Sequence, residues 1–366
     1  MLCPSKKVAE HCREFLIRRS QDIGSSVTVR LIEFLLCPED KSTSVLASSA
    51  CIGLHIVLFP ADAFPLAKQF WQHTGMGISS RMAERCLAML PDTPIIPTRS
   101  HSPVLSRAPS KPMNRHYSVK SPSSPTSPIP RTTIGAAENF NTDQTIYLEE
   151  RYGRNLPLGY ATAAKRTLRR RIAGVLVHDQ AACTSDVQDQ FPAGRDDTEL
   201  GPSSRGVETL SEDDVFLYPT GMSSIWAAHN LALHCRPAQK SVCFGFPYTD
   251  TLKILQKWGP GCHFFGRGLD SDLDDLESLL AQLSPNHTVS SPPPILALFT
   301  EFPSNPLLRS ADLPRLRTLA DKYDFLIIVD ETVGNFINVS VSPYADIIVS
   351  SLTKVFSGDS NVMGGR

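Results

Sequence analysis

The sequence carries almost no surplus of either charge sign. Its 36 Lys and Arg face 37 Asp and Glu, for a formal net charge of −1 over 366 residues. That balance excludes partners recognised by bulk charge, so neither nucleic acid nor an anionic membrane is expected. None of its 9 cysteines forms a C-x-x-C pair, and no Cys/His group has zinc-ligand spacing. No metal is therefore expected. An odd, patternless set of cysteines reads as reduced, mostly buried thiols of an intracellular protein. Long apolar runs are also missing. The most apolar stretch, Val45 to Phe59, is interrupted by Ser and His and ends at Pro60. It suits a buried strand or core segment better than a membrane span. The opening residues, MLCPSKKVAEHCREFLIRR, are charged and lack the apolar core of a secretory signal. The expected address is the cytoplasm.

What is present is a soluble globular composition, 41% hydrophobic and 20% charged, long enough for more than one domain. Residues 1–95 read as a small α+β region. Val8, Cys12, Phe15 and Leu16 recur at helical spacing, which predicts a helix over Lys7–Arg19. Val27–Leu36 and Ile52–Phe59 have strand composition, and Phe64–Trp71 and Ser80–Leu90 are candidate helices. No catalytic pattern lies there. Residues 96–136 are rich in Pro and Ser with almost no large apolar side chains. Such a segment buries too little surface to offset its ordering entropy, so a disordered linker is expected. Residues 137–366 form the third region. It holds a helix in AAKRTLRRRIAGVL, a polar surface insertion over Thr184–Gly206, and an α/β pattern from Asp213 onward.

In that pattern VFLYPT, KSVCFGF, ILALFT, FLIIVD and ADIIVSS alternate with helical segments. Short apolar runs of this kind imply a mostly parallel sheet covered by helices on both faces. Ligands of such sheets bind outside the carboxyl ends of the strands. Lys354 follows the last strand. It is either a solvated terminus or an amine nucleophile activated by its surroundings. Asp330 ends an apolar run directly, which is costly unless the carboxylate has a partner. It is either a buried cap or a counter-charge to a protonated ring nitrogen. Thr220-Gly221-Met222 opens a helix after VFLYP, where free backbone N–H groups suit an anion such as phosphate. Ser351 and Thr353 could add hydroxyls to it. Tyr248, after KSVCFGF, offers either a stacking face or core packing. A phosphate cradle, a stacking ring, an acid and an amine at one sheet edge describe a pyridoxal 5′-phosphate (PLP) site.

These residues resemble a known family. SLTKVFSGDSNVMGG is similar to the lysine motif of the Cys/Met-metabolism PLP-dependent enzymes, and YPTGMSSI, TEFPSNPLL and VDETV match other motifs of that family in order. The resemblance implies a fold type I PLP-transferase large domain. It implies that Lys354 carries the cofactor and later moves protons, and that Tyr248 stacks and works as acid or base. Asp330 would pair with the ring nitrogen, with Thr332 holding it. Gly221, Met222, Ser351 and Thr353 would take the phosphate, and Asn305 would lie near the phenolic oxygen or the substrate. Tyr152 and Arg154, in RYGRNLP, would reach the phosphate of a neighbouring subunit, making a homodimer or homotetramer. MLCPSKKVAEHCREFL, FWQHTGMGISSRMAERC and ERYGRNLPL resemble fungal cystathionine γ-synthases. The implied reaction is a γ-replacement joining an O-acyl-L-homoserine and L-cysteine into cystathionine. The alternatives are a sister activity, homoserine sulfhydrylase or cystathionine/methionine lyase, or a PLP-binding protein without turnover. The family's small C-terminal domain, which holds the arginine for the substrate carboxylate, is expected to be missing from this stretch.

Overall fold

The computed structural model describes residues 1–37, 51–90, 161–177, 200–286, 288, 291–358 and 362–366. The expected linker, Tyr152 and Arg154 lie outside the described residues. The described residues up to Met89 pack with those from Ala161 onward in one compact unit.

The N-terminal module has a three-stranded antiparallel sheet of β1 (Leu2–Cys3), β2 (Arg30–Leu36) and β3 (Ile52–Leu58), in the order β1-β3-β2. Helix α1 (Lys6–Asp22) starts where the Ser5 hydroxyl accepts from the Val8 N–H. Such a cap contributes about 1 kcal/mol. Its buried residues, Ala9, Cys12, Phe15, Leu16 and Ser20, lie three or four apart along one face. They meet Val57 from the sheet and Ala67 and Phe70 from α2 (Phe64–Thr74). A third helix, α3 (Ser80–Ala88), follows. Every element expected here forms, with ends shifted by a few residues.

One expectation is corrected. Cys37 and Cys51 are joined as a disulfide, not reduced. The cause is the hairpin register: Leu36 pairs with Ile52, so the residues just beyond them stand opposite one another. Among the free cysteines described, Cys3, Cys12, Cys86 and Cys243 are buried, whereas Cys235 is exposed.

The larger part is α/β, as expected. Helix α4 (Ala161–Ala173) is tied through Arg166 and Arg170 to Glu212. Five strands follow: β4 (Ser241–Phe244), β5 (Cys262–Phe265), β6 (Ala297–Glu301), β7 (Leu326–Asp330) and β8 (Ile347–Val349). They pair in parallel in the order β5-β4-β6-β7-β8. The core strands alternate strictly between two faces. Val242, Phe244, Leu298, Ile327 and Val329 pack under α7 (Asp270–Leu283) and α8 (Leu313–Tyr323). Cys243, Ala297, Phe299 and Ile328 pack under α5 (Gly221–Cys235) and α6 (Thr249–Lys257). That period of two, buried on both sides, explains why these strands read as unbroken apolar runs. No helix among the described residues is long and apolar enough to cross a membrane.

Two further expectations are corrected. VFLYPT forms no strand; its sheet-type contact is a single antiparallel bridge between Tyr218 and Gly365. The polar stretch Thr184–Gly206, described only from Leu200 onward, is exposed there in part but not throughout. Ser203 and Arg205 are buried, because Arg205 finds a buried carboxylate, Glu331, at 3.1 Å.

The module meets the larger part through an aromatic junction. Trp258 stacks on Phe15 with ring centroids 4.5 Å apart and meets Trp226 edge-on at 5.6 Å. Its indole N–H donates to His73 Nδ1 at 3.1 Å, so His73 must be neutral to accept. Burial first, then the nearby Lys257 charge, pushes the His73 pKa down from 6.5 to about 4. A depressed folded-state pKa means that His73 contributes stability fully above about pH 6.5, and loses it as pH falls towards 4. His73→Gln keeps an acceptor without a titrating ring. Unfolding by urea, followed by tryptophan fluorescence, should show wild type losing more stability than His73→Gln between pH 6.5 and 4. Parallel curves would contradict this.

Candidate active site

The carboxyl ends of β4, β6, β7 and β8 and the N-terminus of α5 surround one cavity of about 500 Å³. Its walls include Thr220, Gly221, Met222, Tyr248, Glu301, Asn305, Asp330, Thr332, Ser351, Thr353 and Lys354. Every sequence-predicted site residue within the described part of the chain lines this single space.

At one end, Thr220 caps α5 and its hydroxyl accepts the Ser223 N–H at 3.0 Å. Gly221 and Met222 occupy the first turn, where their N–H groups have no carbonyl of their own helix to bind. The positive end of the helix dipole adds to their attraction for an anion. Gly221 is required by close approach: a Cβ there would stand 2.6 Å from the Cβ of Ser351. This contact brings Ser351, just past β8, beside the cradle. Thr353 borders the cavity, and its hydroxyl also accepts the Gly364 N–H at 3.1 Å, which holds the returning chain.

In the middle, Asp330 ends β7. One of its oxygens accepts from the Thr332 N–H at 2.9 Å and the Thr332 hydroxyl at 2.5 Å. The same hydroxyl accepts the Ser351 N–H at 2.8 Å. Thr332 thus ties the carboxylate to the exit of β8. Burial raises the Asp330 carboxyl above its usual range, against the lowering pull of the Thr332 hydrogen bonds and the Arg366 charge. Such a carboxylate gains by meeting a cation.

Two residues here were not singled out from the sequence. Glu331, the next residue, is fully buried and faces away, paired with Arg205 and Arg366. Its N–H donates to Val349 O at 3.1 Å, which fixes the turn that carries Thr332. Glu301 ends β6 in register with Asp330. It accepts the backbone N–H groups of both Tyr248 and Asn305. One carboxylate therefore latches the two loops that carry the expected stacking ring and the expected substrate contact. The available signal was the one used for Asp330: a carboxylate directly ending a buried run, LALFTE.

Burial, then the charge of Asp330, raises the Glu301 pKa from 4.5 to about 7. A raised acid contributes stability below its unfolded value and loses it as pH rises through the folded one. The stability difference between wild type and Glu301→Gln should therefore fall between about pH 4.5 and 7 in denaturant titrations of the cofactor-free protein. A flat difference would contradict the burial of Glu301 beside Asp330.

Tyr248 is 55% exposed, which discards core packing and leaves its ring free at the mouth of the cavity. Lys354 sits in a π-type turn over Leu352–Phe356. Its side chain is exposed, and its amine has no ion pair among the described residues. An anion cradle, a half-buried carboxylate, an open phenol ring and an amine without an ion pair among the described residues line one cavity. This donor set fits PLP: a phosphate, a basic ring nitrogen, an aromatic face and an aldehyde.

Comparison with known proteins agrees with this chemistry. Residues 211–366 match the family described as Cys/Met metabolism PLP-dependent enzyme. Residues 1–79 match the fungal trans-sulfuration enzyme, N-terminal domain. The chain belongs to the Cys/Met metabolism PLP-dependent enzymes.

Within this family, the chain is 47% identical over 378 residues to the cystathionine gamma-synthase-like enzyme iboG2 of Amanita muscaria, covering 100% of this chain and 55% of that protein. It is 41% identical over 385 residues to the cystathionine gamma-synthase of Neurospora crassa, covering 100% of this chain and 58% of that one. It is also 34% identical over 319 residues to the alanine racemase ungC of Aspergillus violaceofuscus, covering 87% and 43%. The chain spans little more than half the length of the first two. Among solved structures, metB from Corynebacterium glutamicum matches with a TM-score of 0.34 at 18% identity, covering 55% of this chain and 54% of that one.

Proposed function

We propose that the chain takes part in a PLP-dependent γ-replacement joining an O-acyl-L-homoserine and L-cysteine into cystathionine. The observation that carries this reading is the convergence of Lys354, Asp330, Tyr248 and the Gly221–Met222 cradle on one cavity. The likeness to the Neurospora crassa cystathionine gamma-synthase over the whole chain supports the choice of reaction. PLP supplies an electron sink that makes carbanions of the bound amino acid accessible.

The protein's own groups do the rest. Gly221, Met222, Ser351 and Thr353 would hold the phosphate. Asp330, oriented by Thr332, would hold the protonated ring nitrogen. Lys354 Nζ anchors the cofactor and, with the Tyr248 hydroxyl, moves protons at Cα and Cβ of the homoserine ester. The γ-ester departs as its carboxylate, and the cysteine sulfur takes its place. Asn305 would meet the cofactor's phenolic oxygen or the substrate. Tyr152 and Arg154 reach a neighbouring subunit's phosphate in a homodimer or homotetramer. The setting is the cytoplasm.

The test is product analysis of the full chain with PLP and O-acetyl- or O-succinyl-L-homoserine, offered cysteine or sulfide. Cystathionine from cysteine supports the proposal. Homocysteine from sulfide alone supports a sulfhydrylase. The likeness to an alanine racemase favours a second reading, a reaction confined to Cα. Racemisation of an amino acid without γ-replacement would establish it.

A further inference from the structure

Among the described residues the N-terminal module contributes no side chain to the cavity walls, yet it touches the phosphate end from behind. Helix α2 ends at Thr74 and is capped by Gly75 in the left-handed region, φ +61°. The Thr74 carbonyl accepts the Ser223 hydroxyl at 2.8 Å. Both residues are fully buried. The Ser223 oxygen lies 2.9 Å from the Thr220 hydroxyl, which in turn accepts the Ser223 N–H at 3.0 Å.

The direction of this chain of hydrogen bonds follows from counting protons. Ser223 spends its hydroxyl proton on Thr74, so Thr220 must donate its own to the Ser223 oxygen. Thr220 is thereby turned inward, and the outward-facing donors are the N–H groups of Gly221 and Met222. The fit is tight: a Cβ added at Gly75 would lie 2.0 Å from the Thr220 hydroxyl oxygen and 3.0 Å from that of Ser223. The next residue, Met76, packs into the cluster that holds Ile225 and Trp226 of α5.

We propose that the Thr74–Gly75 turn is a positioning element of the phosphate cradle, so that seating of the N-terminal module and binding of the cofactor's phosphomonoester are thermodynamically linked. The turn fixes the cap of α5 and hence the first-turn N–H groups that meet the anion. This inference rests on the reading of the cavity as a PLP site. Linkage is reciprocal: whatever loosens the module weakens the phosphate, and binding the phosphate tightens the module.

The test compares PLP with pyridoxal, which has the same ring and aldehyde but no phosphate. Both are titrated into full-length wild type, Gly75→Ala and Ser223→Ala by absorbance, with tryptophan emission as the check of folding. Gly75→Ala forces a methyl group into the cap. Ser223→Ala removes the hydrogen bond without adding bulk. The PLP Kd should rise about tenfold in Gly75→Ala and severalfold in Ser223→Ala, within the usual span of coupling between sites. Pyridoxal affinity should stay within about twofold of wild type. PLP affinity unchanged in both variants would overturn the linkage. So would equal weakening of PLP and pyridoxal, which marks general damage. If wild type binds neither compound, the cofactor reading itself fails and takes the linkage with it.

Discussion

Lys354→Ala leaves the protein folded and unable to retain PLP through gel filtration. The side chain is exposed and unpaired among the described residues, so its removal should change stability by no more than about 0.5 kcal/mol. The turn around it is held by backbone bonds, Lys354 N–H to Ser351 O at 3.3 Å and Gly358 N–H to Lys354 O at 3.0 Å. These do not depend on the amine. Turnover should fall by about 10²–10⁴-fold, the contribution of one positioned proton-transfer group. Cofactor retention by gel filtration and unfolding in urea, measured on the same samples, check both halves. Retention of PLP by Lys354→Ala at wild-type affinity would remove Lys354 from its role.

Asp330→Asn separates charge from shape. Asn can still accept from Thr332 through its carbonyl oxygen, so the link from β7 to Ser351 survives. What disappears is the negative charge proposed to meet the ring nitrogen. Turnover should drop by about 10²–10³-fold, the usual loss when one preorganised electrostatic group is removed, while Lys354 still retains the cofactor. Stability should move the other way. Burial holds the Asp330 pKa above its usual range, so its charged form opposes folding at neutral pH in the cofactor-free protein. Asp330→Asn should therefore be more stable than wild type at pH 7 without PLP, and that gain should shrink once PLP is bound. Denaturant midpoints with and without the cofactor check this. Equal turnover in the two proteins would contradict the role.

The site was largely legible in the sequence because its chemistry sits where apolar runs stop. Asp330 and Lys354 each follow a buried strand, and Gly221 and Met222 open a helix. Parallel register then brings these ends to one edge. What escaped has physical causes. Strand β5 is a half-buried edge strand, so its Cys-His-Phe-Phe lacks the buried strand pattern. VFLYPT has the composition of a strand but pairs only at Tyr218, and composition does not provide a partner. Glu331 is stabilised by arginines 126 residues before it and 35 after it, and no local pattern reports such a pairing. The Cys37–Cys51 disulfide follows from hairpin register, which spacing between cysteines does not reveal. The contact between Thr74 and Ser223 spans 149 residues. The motifs at each end give no hint of the other.

The central claim is that the cavity between Gly221 and Lys354 holds PLP through the lysine amine. The most direct test is to incubate the purified chain with PLP, reduce with borohydride, digest, and locate the pyridoxyl group by mass spectrometry. A single modified site at Lys354, suppressed by competing inorganic phosphate, is the predicted result. Modification scattered over surface lysines with Lys354 unlabelled would contradict it.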